Sequence, residues 1–155
     1  MTKKMLTSAM ISNFFVLIPF LPPGINAQYI RHRYTGQIIL STKAREWKKN
    51  AAMVIGARAG VLGWEVGEGQ YDIEILVGGS RSDADAYVKT IVDTVTQKLG
   101  FDDRRVRKVT AEKVKGKKLW ARYVLEETTR TDTSLGSELD DVYSGIYVGV
   151  TQVEG

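Results

Sequence analysis

"YDIEILVGGSRSDADAYVKTIVDTVTQKLGFDDRRVRKV", Tyr71–Val109, decides how this chain folds. It opens on an alternation that puts Tyr71, Ile73, Ile75 and Val77 on one side, the period of a half-buried strand. Gly78 and Gly79 interrupt the strand, and a polar loop leads to a helix near 86–99. Val88, Ile91, Val92, Val95 and Leu99 recur there at three- and four-residue spacing, as the buried stripe of an amphipathic helix does. Gly100 stops the helix, "FDD" turns the chain, and "RRVRKVTAEKV" reads as a basic strand.

On the amino-terminal side, "GQIIL" is a short strand, and Ser41 can cap a helix to about Val61 with Ala44, Trp47, Ala51, Val54 and Ala57 inward. Phe14 to Phe20 reads as a first strand that ends where Pro22 and Pro23 forbid ladder hydrogen bonds. The same apolar run, preceded by lysines and followed by "INA", also has the outline of an export signal, and it is too short to span a bilayer. On the carboxyl side, "KGKK" reads as a hairpin turn. "LWARYVLEE" then alternates Leu119, Ala121, Tyr123 and Leu125 against Trp120, Arg122 and Val124 as a strand. The expectation is one α+β domain over 1–126, a mixed sheet with two helices in the order β-β-α-β-α-β-β. A tail, 127–155, is either disordered or adds "GIYVGV" as a short edge strand.

At 155 residues, 43% hydrophobic and 26% charged, the chain has the make-up of an ordinary globular domain. It contains no cysteine, which excludes disulfides, thiolate metal sites and cysteine nucleophiles. His32 is the single histidine, so a bound metal must rely on oxygen ligands, which favours Mg²⁺ or Mn²⁺. Residues 126–155 hold seven acids and one base, net −6, and the other 21 bases and 11 acids leave residues 1–125 at +10. A body this basic points to a polyanionic partner such as nucleic acid, for which the acidic tail can compete.

Five aspartates crowd into 82–105. Asp83 and Asp85 stand at the mouth of the helix, and Asp85, Lys89 and Asp93 fall at i, i+4 and i+8 on its polar face. Asp102 and Asp103 follow Gly100. Singly, each has a structural use: a helix cap, a surface ion pair, a turn. Together they form a carboxylate set able to hold a divalent metal.

The pattern "DAD", then Lys89, Asp93 and "DD", resembles the RusA family of Holliday-junction resolvases, whose core reads roughly Arg-Asp-x-Asp-Asn followed by Lys, Asp and Asp-Asp. "LPPGINAQYIRHRYTGQIILSTKAREWKK" resembles the family's amino-terminal Pro-Pro, Asn, aromatic and Arg-His segment, and the likeness covers about residues 15–126. It implies a homodimeric, Mg²⁺-dependent endonuclease (with Mn²⁺ as a substitute) that cuts four-way DNA junctions by paired phosphodiester hydrolysis, in a phage- or prophage-encoded protein of the bacterial cytoplasm, with no membrane partner. The family's catalytic aspartates map onto Asp83, Asp85 and Asp103 and its lysine onto Lys89; Asp102 joins the metal-binding set. Asn26, Tyr29, Arg31, Arg33, Arg81, Arg104, Arg105, Arg107 and Lys108 would then contact DNA, against the competing readings of ordinary loop residues and a solvated strand edge. Two positions depart: Ala86 replaces the family's Asn, and Ser82 its Arg, for which Arg81 can substitute. These departures keep open a non-catalytic junction-binding module with a decayed metal site. A helix over 86–99 is about 20 Å long, so Asp103 meets Asp83 and Asp85 either by folding back or across a dimer.

Overall fold

Four strands make the main sheet of the computed structural model, in an order that differs from their order along the chain. The structure describes residues 13–23, 28–79, 84–131 and 144–153. The strands of the sheet are β1 (Phe14–Ile18), β4 (Gln70–Gly78), β5 (Val106–Val114) and β6 (Gly145–Val153), arranged β1-β6-β4-β5. β6 runs antiparallel to both β1 and β4, and β4 runs parallel to β5, so the sheet is mixed. β2 (Tyr29–Arg31) and β3 (Ile38–Leu40) form a separate antiparallel hairpin. Three helices complete the α+β domain: α1 (Thr42–Leu62), α2 (Asp85–Leu99) and α3 (Gly116–Thr131).

The alternation in β4 sorts the core into two layers. Ile73, Ile75 and Val77 stand beside Val150, Val148 and Ile146 of β6, which in turn face Phe14, Val16 and Ile18 of β1. All nine are buried, under Trp47, Ala51 and Ile55 of α1 and Tyr87, Ile91, Val95 and Leu99 of α2. The opposite face carries Phe15, Leu76, Tyr147 and Val114, and α3 covers it through Leu119. Ser41 caps α1 as its sequence suggests, its Oγ accepting the Ala44 N–H at 3.1 Å. The apolar run at Phe14–Ile18 is a buried strand of the sheet, and among the described residues no helix is long and apolar enough to cross a membrane.

Three expectations change. The strand in "GQIIL" is β3, which pairs with β2 in the separate hairpin and does not join the main sheet. The stretch read as a "KGKK" hairpin turn and a strand "LWARYVLEE" is helix α3. Its residues Leu119, Arg122, Tyr123 and Glu126 recur every three or four positions and face the sheet, and Leu125 is left 46% exposed. Lys, Leu, Ala, Arg and Glu are all good helix formers, so local propensity agrees with the fold. "GIYVGV" belongs to β6, which is an inner strand and neither a disordered tail nor an edge. Gly145–Val150 are all buried, the continuous pattern of a strand covered on both faces. Gly145 is needed where β6 begins, because a Cβ there would lie 2.6 Å from the Ile18 carbonyl oxygen.

Candidate functional site

The strand-helix-strand unit sends the aspartates to two different places. α2 begins at Asp85, just beyond the carboxyl end of β4, and returns to Leu99. Gly100 closes it in the left-handed conformation (φ 88°). A 3₁₀ turn, Asp103–Arg105, then leads into β5, whose Val106 pairs with Tyr71 at the amino end of β4. Asp85 and Asp103 thus mark opposite ends of β4, separated by the length of α2, about 20 Å. After Gly100 the chain runs into β5 and does not fold back toward Asp85. Among the described residues, no three acidic or histidine side chains gather around one point.

At the first location, Asp85 is exposed within the first turn of α2. The capping position belongs to Ala84, and among the described residues no side chain caps this helix end, Asp85 included. Lys89 is exposed one turn on, with Asp93 half-buried beyond it. Asp83, Arg81 and Ser82 lie outside the described residues, as does Asn26. The β2–β3 hairpin is tied to this end of the helix: Gln28, buried at its root, accepts a 2.8 Å hydrogen bond from Thr90 Oγ1, beside Lys89 in the chain. Gln28 also donates to the Pro23 carbonyl and accepts the Ser41 N–H through its own carbonyl oxygen. The hairpin presents Tyr29, Arg31 and Arg33 to solvent, with Tyr34 86% exposed at its tip. His32 holds that tip, its Nδ1 accepting the N–H groups of Tyr34 and Thr35 at 3.2 Å, so it works as a turn residue.

At the second location, Asp102 is the structural member of the pair. Its Oδ1 accepts the Arg104 N–H at 2.9 Å. That bond, then the hydrogen bond with Asp103, hold its carboxyl below the ordinary value against a small opposing effect of burial. Asp103 is exposed. The turn is pinned by Arg105, whose guanidinium donates to the carbonyls of Gly69 and Gly67 and lies 5.1 Å from the centre of the Tyr71 ring.

The expected DNA contacts divide accordingly. Tyr29, Arg31, Arg33, Arg104 and Lys108 are exposed. Arg105 is occupied in holding the turn. Arg107 pairs with Asp72 through two hydrogen bonds of 3.0 and 2.7 Å, which raise its pKa above the ordinary arginine value. Sequence reading missed the Gln28–Thr90 tether. Its local signal was a buried glutamine and threonine placed 62 residues apart, which no periodicity exposes. The chain matches no protein-family model and no curated protein.

Proposed function

We propose that this protein is a RusA-type, Mg²⁺-dependent endonuclease acting on four-way or otherwise branched DNA. The observation that supports this most is the tether of the hairpin to α2. It sets an exposed basic and aromatic finger beside a helix end that displays an exposed aspartate and an exposed lysine one turn apart. Arg31 and Arg33 suit backbone phosphates, and Tyr34 suits stacking on a base left unpaired at a branch point.

The donor chemistry fits a hard divalent cation, since every candidate ligand is a carboxylate. Asp83 and Asp85, with Asp103, would hold it; Asp102 is already engaged in its turn. When bound, such a cation supplies a water activated at neutral pH and offsets charge gathering on the scissile phosphate. Lys89, an ammonium at i+4 from Asp85, holds a non-bridging phosphate oxygen and adds to that neutralisation. Since Asp85 and Asp103 lie at opposite ends of α2, the complete site takes its two halves from two subunits of a homodimer.

The test is Asp83→Asn and Asp85→Asn, each assayed for junction binding and for cleavage. A ligand carboxylate repels phosphate as well as serving chemistry, so each variant is expected to bind at least as tightly as the parent and to lose cleavage. Cleavage equal to the parent's in both variants contradicts the proposed site.

A further inference from the structure

Lys113, Lys115 and Lys118 stand at the carboxyl end of β5, where the chain passes into α3. β4 runs parallel to β5, so this is also the end at which β4 leads to α2 and Asp85. The first turn of α3 sits directly on it. A Cβ at Gly78, the last residue of β4, would lie 3.0 Å from the Leu119 side chain and 3.6 Å from Gly116 Cα. The Lys115 carbonyl accepts the N–H groups of Lys118 and Leu119 at 2.9 and 3.1 Å, which fixes where the helix begins. In open sheets the carboxyl ends of parallel strands are where ligands are customarily held.

The three lysines span both faces of the sheet. Lys113 is in register with Val77 and so projects on the side covered by α1 and α2, the side of Lys89. Lys115 and Lys118 belong to the start of α3, which covers the other side. All three are exposed, and Lys113 and Lys115 have no ion pair with another described residue. Lys118 meets Glu112 at 3.4 Å, in a pair more than half exposed on both sides. Such a pair is weak, and a phosphate can take the place of its carboxylate. α1, joined to the hairpin by the Ser41–Gln28 bond, packs on β1, whereas α2 reaches β5. The start of α2, with Asp85 and Lys89, is therefore flanked by Arg31 and Arg33 of the hairpin and by the lysines of the β5–α3 corner.

We infer that Lys113, Lys115 and Lys118 bind the sugar-phosphate backbone of a DNA arm that crosses the β5–α3 corner on its way from the acidic site. The identity of the polyanion rests on the nuclease reading above. Gathered like charges repel one another, and a polyanion relieves that repulsion. A protein partner fits the corner poorly, because its apolar residues Val114 and Leu119 are buried. The corner thus offers charge without the apolar anchors on which protein interfaces depend.

The test is the salt dependence of binding by the full-length protein, measured in chelator on a four-way junction and on a linear duplex. For duplex DNA, log K falls against log salt with a slope of about −0.9 per neutralised phosphate. Lys115→Gln should make the slope shallower by about one, and Lys113→Gln/Lys115→Gln/Lys118→Gln by about two to three. The triple variant should weaken junction binding by at least about tenfold at low salt. Lys98→Gln, exposed in the last turn of α2, should leave the slope at the parent's value. Arginine at all three positions should also keep it, since the charge is retained. A triple glutamine variant with the parent's slope overturns the inference, even if the protein cuts junctions. So does binding of poly-glutamate that is as tight as that of DNA and depends equally on the three lysines. A slope that falls as expected in a protein that cuts no junction with Mg²⁺ keeps the lysine surface and refutes the nuclease reading.

Discussion

Asp102 and Asp103 are neighbours of one residue type with different tasks. Asp102 spends an oxygen on the Arg104 N–H, and Asp103 is exposed without capping the turn. The sequence "FDDRR" announces a turn aspartate and does not say which of the two it is. That depends on the extended conformation of Asp102, which only the path from Gly100 to β5 determines. The assignment has a pH signature. A carboxyl whose folded pKa is lowered contributes stability that is present above its unfolded pKa, 3.8, and is lost as pH falls through the folded value. Asp102→Asn keeps an acceptor for the turn and removes the titration. Its thermal midpoint should fall below the parent's at pH 7, and the gap should narrow by pH 3. An unchanged gap would mean that Asp102 does not contribute as an ionised cap.

Helix α3 shows where periodicity misleads. Leu119, Ala121, Tyr123 and Leu125 alternate like a strand, yet the face that meets the sheet is half polar. Glu126, 1% exposed, accepts the Tyr147 hydroxyl at 3.0 Å and pairs with Arg122 at 2.9 Å. Arg122 reaches on to Glu74 of β4 at 3.0 Å and lies over the Tyr147 ring. Burial lowers the Arg122 pKa, but Tyr147, Glu74 and Glu126 together raise it further than burial lowers it. A count of apolar residues sees none of this, which is why the strand reading looked complete. β4 and α2, whose inward positions are mainly apolar, were legible almost to their ends. Glu126→Ala removes a buried partner of both Arg122 and the Tyr147 hydroxyl, and should destabilise the fold by about 3 kcal/mol in denaturant titration. Lys118→Ala, which breaks only the exposed pair with Glu112, should cost less than about 1 kcal/mol. Equal effects would contradict a buried anchoring role for Glu126.

For the molecule as a whole, most elements other than α3 were legible, and their neighbours in the sheet were not. That β6 lies between β1 and β4 depends on pairings across more than 60 residues, of which "GIYVGV" carries no local trace. Only the structure shows that its six residues are all buried, as an inner strand requires. The placement overturns the reading of "GIYVGV" as part of a disordered tail or a short edge strand. Removing everything after Glu127 deletes an inner strand along with the acidic residues. That variant should lose its cooperative thermal transition, and a parent-like melt would contradict the sheet order. The candidate site was legible as a set of residue types. Its division between the two ends of β4 follows from the parallel return of the chain through α2, which spacing along the sequence does not reveal. The central claim, a metal-dependent enzyme for branched DNA, is tested most directly by incubating the full-length protein with a synthetic four-way junction and a linear duplex of the same arms, with Mg²⁺ and with chelator. The account requires paired cuts in opposing strands of the junction with Mg²⁺ only, and little cleavage of the duplex. Binding of the junction without cuts under either condition, or equal cutting of both substrates, would contradict it.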